Sequence, residues 1–459
     1  MAFTGIIELF NLLSLQRKRE EQMRWLEVNC SKPLNGRIKI PGSKNSSLAL
    51  LAACCLADEP VYMSNIPEIS DIKVVFQILR GLGASVEKQN GTYEINPYGI
   101  NTAEISPELS SAFRAAYYFA GALLVKHHKV TIGYPGGDNF ISRPIDQHIK
   151  GLKALGAEVT CFDNYYTVEA EKLTGAEIFF DVMSCGATIN VMLAAVLAIG
   201  KTTLYNAARD PEVVDTAILL NKMGARIYGA GTDTIRIQGV TQLGGCSHNA
   251  APDRLIAGAY LMAGGITGGT LTIEDAIPEH LASCMAKLTE VGLQFEISES
   301  SITVHGDARI KATRIRTGKF PMFESDFQQP ITVLLLKAAG RSVISDKIYP
   351  RRFNHCDQLN RMGADINVKN GIARINSHRQ LTGSWVHAGD IRAGTALVLA
   401  GLMAEGTTRI TGIEHIERGY EDIVRDFRQL GADISLISGN GLSEGLDLAP
   451  AGTVGQIHL

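Results

Sequence analysis

Six times along its 459 residues the chain closes a helix-like segment with a glycine and enters an apolar run. The copies read "LGASV" at Gly83, "LGAEV" at Gly156, "MGARI" at Gly224, "VGLQF" at Gly292, "MGADI" at Gly363 and "LGADI" at Gly431, 68 to 73 residues apart. Each glycine stands where a helix needs a left-handed C-terminal residue, and the residues after it predict a strand. Upstream of each copy lies a small-residue apolar helix pattern followed by a strand, as in "SLALLAACCLADEPVYMSNI" and "ALVLAGLMAEGTTRITGIEH". Each unit therefore reads helix, strand, helix, strand. The Ala/Gly-rich helices are apolar nearly all round, which predicts burial inside a cluster of units. A period near 70 is longer than that of common solenoid repeats, so closed clusters are expected in place of an open array. Six units split as three plus three predict two similar α/β domains with a cleft between them.

Composition supports two cores: 45% of residues are hydrophobic and 20% charged. A net charge of -3 gives bulk electrostatics no grip on nucleic acid or a membrane surface. No apolar run has the length of a spanning helix. The eight cysteines form no CxxC pair, so neither a zinc site nor a redox motif is expected, and the usage fits a reducing cytoplasm. Residues 1–23 read as an N-terminal extension, an amphipathic stretch with a charged tail and no signal-peptide features. "IGKTTL" imitates a phosphate loop, but the required first glycine is Ala195 and the segment leads into a strand. No GxGxxG joins a strand to a helix, which removes a dinucleotide fold. The "KHHK" pair at His127 and His128 has no neighbouring acids to make it a metal site.

Chemistry is expected where cations sit at unit junctions. Lys44 follows a Pro-Gly-Ser turn and opens a helix, so its charge adds to the positive helix end. Arg114 opens another small-residue helix, and Arg351, Arg352, Arg392 and Arg418 stand at further junctions. Taken singly, each is a helix-end salt bridge. Recurring at equivalent places, they predict a cleft that binds phosphate and carboxylate, which guanidinium groups fork onto. Two carboxylates complement them, Asp326 in "FPMFESDFQQP" and Asp138 in the loop "GYPGGDNFISRPIDQH". From the residues alone, Asp138 is acid catalyst, salt-bridge partner or plain loop residue.

The segments "GSKN", "FRAAYY", "PGGD", "RPIDQHI", "SCGATINVMLAA", "NAARDPEVVDTA", "PDRLIAGAYL", "SDFQQP", "RRFNH", "DIRAGTALVLAGLM" and "IERGYEDI" resemble, in order, the UDP-N-acetylglucosamine 1-carboxyvinyltransferases of the enolpyruvyl transferase family. The resemblance runs from about Met23 to Leu436. The sister enzymes acting on shikimate 3-phosphate fit less well, because their motif needs a serine and an arginine where Asn45 and Ala49 stand. The resemblance implies two inside-out α/β barrel domains of three units each, one of residues 44–251 and one of 24–43 with 252–459. It implies a transferase with no cofactor and no metal, whose partners are phosphoenolpyruvate and UDP-N-acetylglucosamine. Lys44, Arg143 and Arg418 would hold the phosphate of phosphoenolpyruvate, and Arg352 and Arg392 its carboxylate. Asn45, Arg114 and Asp326 would surround the sugar, with Asp326 as or beside the base for the 3'-hydroxyl. Arg143, Pro144, Ile145, Asp146 and Gln147 would form the uridine shelf. Ser184, Cys185 and Gly186 would approach the nucleotide phosphates, and Ile348 would line the same pocket. Asp138 stands where most members carry a cysteine and would be the proton donor, its pKa raised from about 3.9 by burial. A second departure is Ile256, where the family usually has glutamate. The alternatives are a paralogue using another nucleotide or sugar acceptor, and a non-catalytic relative.

Overall fold

The computed structural model describes residues 23–137, 144–376 and 380–439. The expected extension, apart from Met23, lies outside the described residues, as do Asp138 and Arg143. Among the described residues the strands form six four-stranded sheets. All six share one pattern. An edge strand pairs parallel with the second strand, and the remaining two pairings are antiparallel, as in Glu177–Phe179, Lys201–Tyr205, Thr234–Gln238 and Arg226–Tyr228. One sheet per repeat is what the period predicts.

The six repeat glycines all adopt positive φ, from 95° at Gly431 to 112° at Gly292. A Cβ on Gly83 would lie 2.1 Å from the Gly99 carbonyl oxygen, so that turn excludes a side chain on steric grounds as well. Each unit is richer than its helix-strand-helix-strand reading. In the first five units a hairpin partner follows the strand after the glycine, in the sixth Met23–Asn29 takes that place, and a further edge strand completes each sheet. In two units the hairpin turns on Asn-Gly, with φ of 50° and 80° at Asn90 and Gly91 and of 52° and 71° at Asn370 and Gly371. This pair of left-handed residues is what a two-residue hairpin needs.

Six apolar helices sit inside: Lys44–Ala53, Tyr118–His127 and Cys185–Ala195 in one lobe, Arg254–Thr267, Gln328–Leu336 and Ile391–Gly401 in the other. Small residues let them approach closely. A Cβ on Gly121 would meet the Asn190 carbonyl oxygen at 2.1 Å. The inner helices pack on one another and on outer helices such as Pro211–Lys222 and Asn354–Arg361. One core draws on residues between Leu48 and Ala250, the other on Leu26 to Ile40 together with Leu255 to Ile434. Fully burying a Leu or Ile side chain contributes about 1.5–3 kcal/mol, so each inner helix is held by packing more than by propensity.

The chain's route explains the unequal sequence ranges. Met23–Asn29 lies between Thr407–Thr411 and Ile434–Gly439, completing the sixth sheet. Asn35–Lys39 pairs with Thr270–Glu274 in the fourth. The two crossings between lobes run side by side, where Gly42 bridges Pro252 and the Ser43 N–H donates to the Ala251 carbonyl.

Candidate active site

The inner helices begin at the seam between the lobes, and their first turns deliver the polar side chains. Ser43 caps the Lys44 helix by accepting from the Ser46 N–H, Ser184 caps the Cys185 helix, and Asp390 caps the Ile391 helix. Arg114 and Asp326 stand in short 3-10 turns, Arg114–Tyr117 and Ser325–Phe327, that lead directly into two further inner helices. Helix N-termini aimed at one space favour an anion there.

That space is a cavity of about 430 Å³. Lys44, Asn45, Arg114, Pro144, Asp146, Gln147, Ser184, Cys185, Gly186, Asp326, Ile348, Arg352, Arg392 and Arg418 all line it. Ile145 does not; it is buried in the first core and starts the Asp146–Ala154 helix from behind. Ile256 is likewise buried, in the second core, and is not among the cavity-lining residues. Arg351 is exposed, whereas its neighbour Arg352 is buried.

The cations are not bare. Lys44 Nζ lies 2.6 Å from Asp71 Oδ2, and Arg418 Nε donates to Asp71 Oδ1 at 2.9 Å. Asp71 and Lys44 belong to the first lobe and Arg418 to the second, so this triad ties the lobes together. Burial pulls the Lys44 ammonium below its usual range, and Asp71 opposes that shift. Burial pushes the Asp71 carboxyl up, but Lys44 and Arg418 together outweigh it and hold the group below the usual carboxylate range. Asp71 escaped the sequence reading because an acid in a helix's first turn is an ordinary dipole partner.

A second group surrounds Asp326. Arg352 donates to its Oδ1 at 3.0 Å and Arg392 Nε to the same oxygen at 3.3 Å. Burial opposes ionisation of Asp326, yet the two guanidinium groups prevail and hold its carboxyl far below the usual range. A third group spans the seam deeper down. Arg254, almost fully buried, donates to Glu212 at 2.8 Å and to both oxygens of Glu324 at 2.8 and 2.6 Å. Glu212 lines the cavity and accepts a 3.5 Å bond from Asn45. Beside it, burial and then the Glu212 charge push Asp210 up to about 7. Among the described residues, Cys185, Asp210 and Glu212 are the trio whose metal-capable atoms lie within 4.8 Å of one another, a grouping that chain spacing does not reveal. Burial raises the Cys185 thiol well above its usual pKa, so a nucleophilic thiolate is disfavoured in this cavity.

On the first-lobe side, Gln147 is held by Asp181, donating to its carboxylate at 3.2 Å and accepting from its N–H at 2.9 Å. Arg114 packs its guanidinium over the Tyr117 ring at 5.8 Å. The Ile348 N–H is fixed by Asp346 at 2.9 Å. Tyr117, Tyr118, His148, Lys319 and Tyr349 also line the cavity. They supply a stacking and cationic wall that no spacing pattern announces.

A two-lobed fold with cations and carboxylates gathered on helix N-termini between the lobes defines a transferase of anionic substrates, and known proteins agree. The family model described as EPSP synthase (3-phosphoshikimate 1-carboxyvinyltransferase) matches residues 28–427. The chain belongs to this enolpyruvyl transferase family, within its UDP-N-acetylglucosamine 1-carboxyvinyltransferase branch. UDP-N-acetylglucosamine 1-carboxyvinyltransferase 2 of Bacillus anthracis is 48% identical over 413 residues, 90% of this chain and 96% of the relative. The protein of the same name from Listeria monocytogenes is 47% identical over 410 residues, 89% of this chain and 97% of the relative. Among solved structures, the enolpyruvyl transferase NikO from Streptomyces tendae superposes with a TM-score of 0.83 at 23% identity, covering 91% of this chain and 99% of its own. EPSP synthase from Acinetobacter baumannii gives 0.71 at 18% identity, with 91% and 100% covered. At these identities the two structures speak for the fold. No helix among the described residues is long and apolar enough to cross a membrane.

Proposed function

We propose that this protein transfers the enolpyruvyl group of phosphoenolpyruvate to the 3'-hydroxyl of UDP-N-acetylglucosamine and releases phosphate, the first committed step of peptidoglycan biosynthesis in the cytoplasm. The observation that carries the reading is the pairing of cations in the cavity. Lys44 with Arg418 suits a phosphate, and Arg352 with Arg392 suits a carboxylate. Phosphoenolpyruvate carries both groups. The kinship with proteins named for this acceptor supports the sugar nucleotide.

In this reading Lys44, Arg143 and Arg418 hold the phosphate as negative charge builds on it during departure, which is electrostatic stabilisation by fixed charge. Asp138 protonates the methylene carbon, the sugar hydroxyl attacks the cation-like centre left behind, and as the C–O bond to phosphate breaks the new methyl group returns a proton to Asp138, restoring the double bond. Asp326 takes the hydroxyl proton. Asn45 and Arg114 flank the sugar. Pro144, Ile145, Asp146 and Gln147 shelve the uridine, with Ile145 acting through the helix it starts. Ser184, Cys185 and Gly186 offer a helix N-terminus to the diphosphate. Residues 44–251 move as one domain against 24–43 and 252–459, and closure excludes water.

The test is phosphate release from phosphoenolpyruvate by the purified protein, with and without UDP-N-acetylglucosamine. Release that requires the sugar nucleotide is expected. A folded protein that releases none refutes the reading. Asp138→Asn is expected to abolish turnover while ligand binding persists, and full activity in that variant removes Asp138 as proton donor.

A further inference from the structure

We infer that Asp326 is the resident counter-ion of Arg352 and Arg392, and that the carboxylate of the incoming substrate displaces it, so that the base is released into the cavity only when that substrate is bound. The inference rests on the reading of phosphoenolpyruvate as substrate. It begins from one oxygen: Arg352 and Arg392 both donate to Oδ1 of Asp326, at 3.0 and 3.3 Å. The two guanidinium-bearing side chains are 7% and 10% exposed, while that of Asp326 is 31% exposed and faces the cavity. The carboxylate is therefore the accessible member of the group.

The arginines have supports that do not depend on Asp326. Arg352 lies 3.6 Å from Asp390 Oδ1 through its other terminal nitrogen. Its Nε reaches the Gln329 side-chain oxygen at 3.1 Å with that amide oriented to satisfy both its neighbours. The Arg392 N–H is capped by Asp390 at 2.8 Å, at the start of a long buried helix. Arg352 therefore keeps side-chain partners if Asp326 leaves, and the backbone that carries Arg392 stays fixed. Asp326 itself sits in a three-residue 3-10 turn, Ser325–Phe327, and reaches its partners through a short side chain.

A carboxylate held by two guanidinium groups is a poor base, because losing its charge would break both bonds. A ligand carboxylate competes for the same N–H groups with an equivalent charge and with freedom to adopt the forked geometry that guanidinium prefers. Once it is seated, its charge neutralises the arginines, and Asp326 loses the interactions that suppress its basicity. The hydroxyl acceptor is then deprotonated only in a cavity that already holds the partner it must attack.

The experiment compares phosphoenolpyruvate binding to the wild type and to Asp326→Asn by calorimetry, with vinyl phosphate, which lacks the carboxylate, as the control. Removing a competing internal anion is expected to tighten phosphoenolpyruvate by about tenfold while turnover is lost and vinyl phosphate binding is unchanged. If the variant is folded and binds phosphoenolpyruvate equally or more weakly, Asp326 positions the arginines and displacement is refuted. If the wild type does not bind phosphoenolpyruvate at all, the substrate reading fails, and this inference with it. If the variant does not fold, a crystal structure of the wild type with phosphoenolpyruvate decides: Asp326 more than about 4 Å from both guanidinium groups is expected, and retention of the ion pairs refutes the displacement.

Discussion

Asp210→Asn is expected to stabilise the protein at neutral and alkaline pH and progressively less as the pH falls. Asp210 precedes the Pro211–Lys222 helix, caps it with no side-chain hydrogen bond, and lies beside Glu212. Burial first, then the Glu212 charge, raises it from 3.8 to about 7. Because the folded pKa exceeds the unfolded one, the group's relative contribution to stability is fully present below about pH 4 and is lost as the pH rises through about 7. Three pKa units correspond to about 4 kcal/mol, an upper limit on what asparagine recovers near pH 8. At about pH 5 the folded carboxyl is already protonated, and the recoverable penalty shrinks to about 1.5 kcal/mol. Asparagine caps a helix as well as aspartate does, so the substitution leaves the cap itself unchanged. Urea denaturation of the two proteins at both pH values measures the difference. The gain at the higher pH should exceed that at the lower by about 2–3 kcal/mol. An equal change at both pH values, or a loss near pH 8, refutes a half-buried, charge-crowded Asp210.

Arg254→Met removes the cation between Glu212 and Glu324 and leaves two buried carboxylates, at a cost of about 3–5 kcal/mol in urea denaturation. Asp71→Asn strips Lys44 of the charge that opposes its burial, so phosphate release should fall off at lower pH on the alkaline side than in the wild type, as read from the pH profile of kcat/KM. Gly83→Ala forces φ of 108° on a residue with a Cβ and drives that Cβ against the Gly99 carbonyl, so a loss of about 1–3 kcal/mol or more is expected by the same denaturation assay.

The fold was legible because one physical requirement repeats. A helix that must turn back onto a sheet needs a left-handed residue, and six glycines mark those places at the positive φ values the structure contains. The antiparallel partner strands were harder to read, being four or five residues long, although Asn90-Gly91 and Asn370-Gly371 advertised two of the hairpins. Site residues at helix starts, such as Lys44 and Arg392, stand out because the cation's position relative to a helix N-terminus is local information. Asp71, Glu212 and Asp210 do not, because their significance arises from partners as far as 347 residues away or from desolvation, neither of which a local pattern encodes. The resemblance supplied individual roles that spacing could not, and for Asp138 and Arg143 it remains the sole source, since both lie outside the described residues.

The placement of Met23–Asn29 between two strands from the other end of the chain has a consequence for biogenesis. The first lobe is built from one unbroken stretch and can close while the chain is still being synthesised. The sixth sheet cannot. Its inner strand leaves the ribosome long before residues 407–439 and must wait, unpaired, until they emerge. Its pairings reach from Asn29 with Thr407 to Met23 with Gly439, the greatest sequence separation and so the greatest loop-closure cost of any strand pairing among the described residues. The second lobe, and with it the half of the cavity that carries Arg352, Arg392 and Arg418, is therefore assembled only after residues 407–439 have emerged. A truncated product would leave a folded first lobe carrying Lys44 and Arg114, with no opposing wall.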